Sequence, residues 1–431
     1  MMNNYSENIT ADSFSGIVFA LEGIKNSVVL VNGPTGCKFY HSAVSDSQSI
    51  HQQEFDPLKY PEKFYFGQPR VPCTYLDSRD YVYGSSQKLN EALEFIYGNV
   101  DFELLAIVNS PGAALIGDDL KSIAKKFATD KKCMIIETPG FSGNMCSGYE
   151  KAAMEVLKQL SFSQKEQSPF IVNILGMSVY HKYYRGDKEE ISRLMNMCGI
   201  EINCFLCAGS SLESIENLPK ARLNIVLHPE YGLETAALLE EMYGTPYYVC
   251  SGPPIGFKAT EKFVRDICRL LGCSSYLFDM EAERARAAAY MHISRVNSLT
   301  GLPKGVSFAI EGTCSEIYSY TSFLVRYFGM VAESVRINCE ETGVFMDMLQ
   351  SLFSVLGLSD ALHRDIAETS AELVFAGGNT IARLKLRKHR FSGIETALPS
   401  LGYIDVILKT HLGLKGALLI TEQVLNGLKF D

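Results

Sequence analysis

The sequence predicts an α/β protein of three doubly wound domains with mainly parallel sheets. Short apolar runs alternate with helix-like patterns along the whole chain, and glycine-rich turns directly follow several of the runs. Buried parallel strands are continuous apolar runs that feed loops at their carboxyl ends, and helices connect one strand to the next. Repeated alternation of this kind is typical of doubly wound domains. A chain of 431 residues is long enough for several such domains.

Three blocks of strand–helix alternation define the predicted domains, at residues 1–164, 165–274 and 275–431. A polar break at 165–169 separates the first two blocks, and a long, charged helix predicted at 281–299 belongs to the third. Apolar runs of strand length lie at 27–31, 104–108 and 133–137, at 170–175, 200–207, 223–227 and 246–250, and at 305–311, 334–338, 373–375 and 395–397. Ligands are expected beyond the carboxyl ends of these strands.

Composition and charge exclude several classes of partner. The net charge of −9 leaves no basic patch, so we expect no nucleic-acid partner. The longest apolar runs are too short to span a bilayer, and the N-terminus lacks a basic segment followed by an apolar one. We therefore expect no membrane association and a cytoplasmic location. Most of the 12 cysteines stand alone in apolar patterns and are expected to be small buried hydrophobes.

One cysteine stands apart, because it ends a glycine turn after a predicted strand. The turn reads Gly33-Pro34-Thr35-Gly36-Cys37 and directly follows the apolar run at 27–31. Small residues allow a tight turn and close approach to a bulky ligand, and the thiol can bind an iron cluster. We therefore predict that Gly33 and Gly36 contact a cofactor and that Cys37 binds metal. The chain contains no G-x-x-x-x-G-K-[ST] loop, so we do not expect it to hydrolyse ATP.

Ordered motifs over nearly the whole chain extend this turn into a family resemblance. They read Gly-Pro-Thr-Gly-Cys at 33–37, Asp-Tyr-Val-Tyr-Gly at 80–84, Leu-Ile-Gly-Asp-Asp-Leu at 115–120, Thr-Pro-Gly-Phe-Ser-Gly at 138–143, Ala-Arg-Leu-Asn-Ile-Val-Leu at 221–227, Tyr-Gly-Thr-Pro at 243–246 and Leu-Pro-Ser-Leu-Gly-Tyr at 398–403. The chain resembles the nitrogenase component 1 superfamily, which includes nitrogenase molybdenum–iron protein subunits, cofactor-assembly scaffolds and protochlorophyllide-reductase-like proteins.

The resemblance implies a subunit of an oxygen-sensitive, oligomeric, iron–sulfur-dependent reductase. Its electrons would come from a separate ATP-dependent reductase of the nitrogenase iron-protein type. Two alternatives stay open, namely an assembly scaffold for a nitrogenase-type metal cofactor and a noncatalytic partner subunit. No catalytic residue is assigned.

The resemblance also implies an iron–sulfur cluster, expected to be [4Fe–4S], that is shared across a subunit interface. Cys37 matches the middle of three cysteine ligands in the family, whereas Asp12 and Pro111 occupy the other two positions. A paralogous partner subunit with three cysteines can complete the site. Alternatively, two copies of this chain each supply Cys37 and a second thiol, for which Cys73 is the candidate. Asp12 is interpreted as a helix cap, with an oxygen ligand as the alternative.

Histidines near other strand ends give a second candidate region. His228 follows the run at 223–227 and matches the position of the cysteine that binds the catalytic metal cofactor in the nitrogenase α subunit. An imidazole also binds iron, so His228 is predicted to bind a cofactor, against the alternative of a loop histidine. The polar loop at 181–187 is expected to face the cleft, where Lys182 and Arg185 contact an anionic ligand, or to be a simple surface loop. His389 and His411 match no motif.

Overall fold

The computed structural model describes residues 11–38, 71–127, 131–137, 143–160, 162–339, 343–398, 400–403 and 405–428. Across these residues, eleven strands form three sheets in which every strand pairing is parallel. This architecture confirms the predicted fold class. The family motif at 138–143 lies outside the described residues except for Gly143. No helix in the described part of the chain is long and apolar enough to cross a membrane.

Each of the eleven predicted strands is present, with ends shifted by a few residues. The strands are β1 Ser27–Asn32, β2 Leu104–Asn109, β3 Lys132–Glu137, β4 Ser168–Leu175, β5 Glu201–Phe205, β6 Ala221–Val226, β7 Tyr247–Val249, β8 Ser307–Gly312, β9 Val331–Ile337, β10 Leu373–Gly377 and β11 Ser392–Ala397. Their orders in the three sheets are β1-β2-β3, β5-β4-β6-β7 and β11-β10-β8-β9.

Helices connect the strands, as parallel pairing requires. They are α1 Ser13–Glu22, α2 Asp80–Tyr83, α3 Ser86–Asn99, α4 Pro111–Ala114, α5 Leu120–Lys125, α6 Met145–Gln159, α7 Tyr184–Met197, α8 Leu212–Glu216, α9 Leu233–Tyr243, α10 Phe257–Leu271, α11 Tyr276–Thr300, α12 Cys314–Phe328, α13 Val344–Leu356, α14 Gly378–Leu386 and α15 Gly413–Gly427. Short 3₁₀ turns lie at Thr35–Lys38, Leu218–Lys220, Pro229–Tyr231, Ser359–His363 and Ile366–Glu368.

The chain divides into two compact units. The first comprises the described residues up to 165 together with 206–219, and it contains the β1–β3 sheet. The second comprises 166–205 and the residues from 220 onward, and it contains the other two sheets.

In the first unit, a hydrophobic core lies between the sheet and the helices α3 and α5. Leu89, Leu93 and Ile96 are spaced so that they share one face of α3, and all three are buried. They pack in one cluster with Leu30 of β1 and Leu105 of β2. The helices therefore hold the sheet through the buried side chains of its strands. The loops at the carboxyl edge of the sheet stay available for ligands.

Two glycines allow α1 and α6 to cross at very short range in the first unit. A Cβ atom on Gly148 of α6 would lie 1.9 Å from the Ser13 carbonyl oxygen, and one on Gly16 of α1 would lie 2.0 Å from the Met145 carbonyl oxygen. Both clashes are with backbone atoms, which cannot move aside by rotating a side chain. The close packing of α1 against α6 therefore requires glycine, which has no Cβ atom, at both positions.

Buried asparagines pair across neighbouring strands at the carboxyl edge of the first sheet. Asn32 ends β1 and lies opposite Asn109, which ends β2. The Asn32 Nδ2 atom donates to Asn109 Oδ1 at 2.9 Å and to Ser85 Oγ at 3.1 Å. The Thr74 hydroxyl donates to Asn32 Oδ1 at 3.0 Å. Because a buried amide without partners is costly, this network fixes the strand register.

The same device recurs in the second unit. Asn173 of β4 lies opposite Asn224 of β6, and its Nδ2 atom donates to Asn224 Oδ1 at 2.9 Å. Asn203 of β5 donates to Asn173 Oδ1 at 2.8 Å. Three adjacent strands are thereby linked just before the loops that follow β4 and β6.

Replacing Gly148 by alanine should destabilise the first unit by roughly 1–3 kcal/mol, because the added methyl group overlaps the Ser13 carbonyl group. Gly98→Ala in α3 is the matched control, since a Cβ atom there meets nothing within 4 Å. Removing a helical glycine at an open site should stabilise by about 0.5–1 kcal/mol. Urea unfolding of both variants checks this, and equal effects in the same direction would contradict the close-crossing account.

Candidate functional site

The Cys37 turn begins where β1 ends, and a second segment runs beside it. Val31 N donates to the Pro72 carbonyl oxygen at 2.9 Å, and Thr74 N donates to the Val31 carbonyl oxygen at 3.0 Å. Cys73 therefore pairs with Val31 as an added parallel bridge. The Gly33 N–H donates to Thr74 Oγ1 at 3.0 Å and ties the start of the turn to the same segment. The structure thus brings the segment that carries Cys73 to the strand end that precedes Cys37.

The Cys37 thiol is half-buried and lies in an environment that favours its neutral form. Burial raises its pKa above the ordinary thiol value, and the nearby Asp12 and Cys73 act in the same direction. A hydrogen bond with Ser110 opposes the shift. Metal binding at Cys37 must therefore displace a proton.

The two glycines of the turn have different surroundings. A Cβ atom on Gly33 would lie 2.5 Å from Ser110 Oγ, so this position needs glycine for packing. At Gly36 a Cβ atom would meet no atom of the described residues within 4 Å. Among these residues, nothing next to Gly36 prevents a bulky group from approaching the turn.

Asp12 and Pro111, which stand at the other two ligand positions of the family, have structural roles. Asp12 is exposed and caps α1, because its Oδ1 atom accepts from Ser15 N at 2.9 Å and from Ser15 Oγ at 2.8 Å. This agrees with the helix-cap interpretation. Pro111 begins α4 after the N-cap Ser110, a position where its missing N–H costs no hydrogen bond.

In the second unit, the loops after β4 and β6 approach each other at a glycine. Gly176 adopts a φ of +78°, and a Cβ atom there would lie 2.3 Å from the His228 carbonyl oxygen. Only glycine permits this contact. The first loop then continues to His181, whose backbone bridges to Ala397 at the end of β11. The approach places the side chains of His181 and His228 together.

A cluster of His181, His228 and Glu316 lines a small cavity in the second unit. The two imidazole rings lie with their centroids 4.2 Å apart and their planes at 31°. Glu316 Oε1 lies 4.0 Å from His181 Nε2 and 3.7 Å from His228 Nδ1. Both of these ring nitrogens are buried, and neither has a hydrogen-bond partner in the part of the chain that the structure describes. Three potential ligand atoms therefore lie close together without hydrogen bonds to one another.

Helix capping sets the position of Glu316. Thr313 is the N-cap of α12, and Glu316 completes a capping box in which its Oε2 atom accepts from Thr313 N at 3.0 Å. The other oxygen, Oε1, is left to face the histidines. A second carboxylate, Glu230, accepts from Ser315 N at 2.7 Å and from Ser315 Oγ at 2.6 Å. The N-terminus of α12 thus holds two acidic groups beside the cavity.

Burial controls the protonation of this cluster. It lowers the pKa of His181 to about 4 and holds the pKa of His228 well below its usual range, with His181 adding to the second shift. The same low polarity raises the pKa of Glu316 to about 7, and the charge of Glu230 acts in the same direction. Both imidazoles are therefore neutral near pH 7, which is the form that binds metals.

On another wall of the cavity lies a hydrogen-bonded pair, Tyr320 and His411. The Tyr320 hydroxyl and His411 Nδ1 are 2.6 Å apart, and His411 Nε2 is 2.9 Å from Gln423 Oε1. Since a carbonyl oxygen only accepts, His411 carries its proton on Nε2 and Tyr320 donates to Nδ1. The cavity therefore contains an oriented donor–acceptor chain that the sequence motifs did not indicate.

Two buried acidic residues of α7 hold the segment that carries His411. Asp187 Oδ1 accepts from Thr410 Oγ1 at 2.6 Å and from His411 N at 3.2 Å. Glu190 Oε1 accepts from Leu414 N and Lys415 N, both at 3.1 Å, at the start of α15. Anionic groups are stabilised at a helix N-terminus, so these bonds fix the entry into α15.

The predicted anion contact at Lys182 is not supported by its surroundings. Lys182 lines the cavity, but its Nζ atom lies 2.7 Å from Glu395 Oε2 and 3.2 Å from Asp405 Oδ2. The side chains of Lys182 and Glu395 are 3% and 0% exposed. The ammonium group therefore forms ion pairs with carboxylates of the protein itself. A buried ion pair needs both partners, so this group is not available to an external anion. Arg185 is exposed. The alternative of a simple surface loop also fails at His181, which is buried.

The sequence predicted Cys37 and His228 as site residues, with Cys73 as the second thiol in one of two ligand arrangements, but it did not indicate the other residues of these sites. The structure brings Cys73 to the Cys37 turn, and it brings His181, Glu316 and His411 to the cavity beside His228. The capping-box signature Thr-Cys-Ser-Glu at 313–316, directly after a predicted strand, was the one local signal for Glu316. His389 lies elsewhere, with its Nδ1 atom 2.8 Å from the Thr369 carbonyl oxygen.

Comparison with known proteins identifies the family. The model of the nitrogenase component 1 type oxidoreductases matches residues 13–429. The chain belongs to this family, so the resemblance seen in the sequence motifs is confirmed. The solved structure of nitrogenase Cp1 at pH 6.5 has the same fold, with a TM-score of 0.78 and 16% identity over 97% of this chain and 92% of that chain.

Curated relatives include both reductase subunits and a biosynthesis protein. A light-independent protochlorophyllide reductase subunit of Stigeoclonium helveticum is 24% identical over 76% of this chain and 63% of its own length. The nitrogenase iron-molybdenum cofactor biosynthesis protein NifE of Clostridium pasteurianum is 25% identical over 60% of this chain and 53% of its own length. The corresponding reductase subunit of Chaetosphaeridium globosum is 25% identical over 58% of this chain and 48% of its own length. The chain thus spans about half to under two thirds of these relatives.

The free energy of unfolding of the Asp187→Asn variant, relative to that of the natural chain, should increase as pH rises. Burial raises the pKa of Asp187 to about 7, although its hydrogen bonds act in the opposite direction. The folded carboxyl group therefore keeps its proton to higher pH than the unfolded one, whose pKa is about 3.9. Its contribution to stability is complete below pH of about 4 and is lost as pH rises through 7.

Asparagine preserves the acceptor oxygen and does not ionise. The free energy of unfolding of the variant, relative to the natural chain, should therefore rise by on the order of 2 kcal/mol between pH 5 and pH 8. Urea unfolding at both pH values measures this difference. Asp360→Asn, at an exposed site in the same unit, is the control and should show the same effect at both. A pH-independent effect of Asp187→Asn would contradict the burial argument.

Proposed function

We propose that this chain is a subunit of a nitrogenase-like, iron–sulfur-dependent reductase that works in the cytoplasm. It receives single electrons from a separate ATP-dependent reductase of the iron-protein type. The observation that carries the proposal is the approach of Cys73 to Cys37 at the carboxyl end of β1. Family membership supports the class of reaction. The thiols come from two separate segments, so a shared ligand explains why both segments meet there.

The residues at this turn fit a [4Fe–4S] cluster in part. Such a cluster takes four thiolates, and Cys37 and Cys73 can supply two. Around this turn, the described residues contain no group of three metal-binding side chains. We propose that the remaining ligands come from a partner subunit, either a second copy of this chain or a paralogue, as the family resemblance implies. When bound, the cluster supplies one-electron transfer at low potential. Gly33 permits the turn, and the space beside Gly36 admits the cluster.

An assembly scaffold for a metal cofactor is the second candidate function. It is favoured by the cavity in the second unit, where two ring nitrogens that have no hydrogen-bond partner among the described residues face a carboxylate oxygen of Glu316. A scaffold holds a metal group without turning it over, and the similarity to NifE agrees with this role. A noncatalytic partner subunit, which binds no metal, is the third.

Replacing Cys37 by alanine should abolish most of the iron bound by anaerobically purified protein, because the cluster loses one of its thiolate ligands. Iron and acid-labile sulfide analysis, with electron paramagnetic resonance of the reduced protein, measures the loss. Cys133→Ala is the matched control, since Cys133 is a partly buried cysteine on β3 of the same unit. Unchanged iron content in Cys37→Ala would sink the proposal at this site.

The Cys73→Ala variant separates the two ligand arrangements. Loss of the cluster in this variant supports two ligands from each chain, as in an assembly of identical copies. Retention of the cluster supports one ligand from this chain and three cysteines from a paralogous partner. Size-exclusion chromatography of the same samples, with and without candidate partner subunits, reports the assembly.

Electron delivery distinguishes a reductase from a scaffold. Mixing the cluster-loaded complex with a reduced iron-protein-type ATPase and MgATP should oxidise the ATPase cluster, and stopped-flow absorbance follows the change. The rate should fall by at least about 100-fold in the Cys37→Ala complex, because the acceptor is lost. The same slow rate in the natural complex and in the variant would favour the scaffold.

A further inference from the structure

We propose that His181, His228 and Glu316 form a binding site for one divalent transition-metal ion of the class that prefers nitrogen and oxygen ligands, such as Fe²⁺, Co²⁺ or Zn²⁺. The site is built from this chain alone. It shares no residue with the Cys37 turn and does not depend on the iron–sulfur proposal, and it names the ligand class for the cavity on which the scaffold alternative rests.

The distances suit a single ion. The three ligand atoms lie within 4.8 Å of one another, so all can lie within about 2.8 Å of a common point. Metal bonds to imidazole nitrogen and carboxylate oxygen are about 2.0–2.2 Å long, so small side-chain rotations complete the coordination. Two histidines and one carboxylate are a ligand set used by mononuclear iron and zinc sites.

The surroundings of the two ring nitrogens also favour a cation site. His181 Nε2 and His228 Nδ1 are buried without hydrogen-bond partners among the described residues, and the two side chains are 10% and 6% exposed. Buried polar atoms in native proteins normally have a partner. Glu316 Oε1 is too far from either nitrogen for a hydrogen bond, and its other oxygen is used in the capping box. One ion between them would satisfy all three groups.

The chemistry of the lining indicates the occupant. The cavity has room beside the three side chains for an ion with a water ligand. The ligand set contains no thiol, unlike the Cys37 turn. The inferred occupant is therefore one ion with open coordination positions, not an iron–sulfur cluster.

One existing contact must change when the ion binds. Ser178 N donates to His181 Nδ1 at 3.3 Å, which places the ring proton on Nε2. Binding through Nε2 moves that proton to Nδ1 and breaks this contact. A single long hydrogen bond is weak compared with three metal–ligand bonds. His228 Nδ1 has no such competing contact among the described residues.

Cobalt binding to the full-length chain in a Cys37→Ala/Cys73→Ala background tests the site without interference from the two thiols of the Cys37 turn. We expect the metal-stripped protein to bind one equivalent of Co²⁺. Its visible d–d bands should appear without a sulfur-to-cobalt charge-transfer band. Glu316→Gln preserves the shape and the capping acceptor, and it should weaken binding by more than about 100-fold. His181→Gln and His228→Gln should do the same.

His389→Gln is the matched control, since His389 lies in the same unit away from the cavity. It should bind cobalt as the parent does, and circular dichroism of each variant reports folding. Failure of the parent to bind cobalt, or cobalt binding that is unaffected in all three cluster variants, would overturn the proposal. Because the background lacks both thiols, these results are independent of whether the Cys37 cluster exists.

Discussion

Hydrogen bonds between buried asparagines set the strand register, and so the position at which each loop with candidate site residues leaves its sheet. Asn32 and Asn109 pair immediately before the Cys37 turn, and Asn173 and Asn224 pair immediately before the loops that carry His181 and His228. A slip of one residue would break these amide hydrogen bonds and would reverse the side-chain pattern of a strand. The two candidate sites therefore depend on the same polar constraint, used once in each unit.

The two sites differ in the chemistry that their surroundings allow. The Cys37 turn has two thiols and lies beside open space, which suits iron–sulfur ligation with help from a second subunit. The cavity of the second unit has imidazole and carboxylate groups, and the unit itself supplies every side chain. Soft sulfur and harder nitrogen or oxygen ligands select different metal species. The chain therefore combines two distinct kinds of ligand set.

Hydrophobic pattern was enough to find the strands, because a buried parallel strand is a continuous apolar run wherever it occurs. β4, for example, was visible as the run at 170–175, and the structure extends it to Ser168–Leu175. Cys37 and His228 were predicted because each follows such a run and matches a family motif. Both lie at the expected strand ends, although their binding roles stay predictions.

The remaining site residues could not be found in this way, because tertiary contacts bring them together. His181 and Glu316 are 135 positions apart, and they meet only because α12 begins beside the loop that follows β4. Cys73 was a candidate only because it precedes a family motif in the same domain; its pairing at the edge of β1 has no periodic signature. The backbone N–H of His411, which precedes α15, donates to Asp187 of α7. Lys182 was expected to be available to an anion, but two carboxylates already neutralise it.

Iron K-edge X-ray absorption of the anaerobically isolated full-length chain, together with its partner subunit where one co-purifies, tests the central claim most directly. If the Cys37 turn holds part of an iron–sulfur cluster, the spectrum should show a first shell dominated by sulfur and a short iron–iron distance. Iron surrounded by nitrogen and oxygen alone, or no iron at all, would contradict the account of this turn.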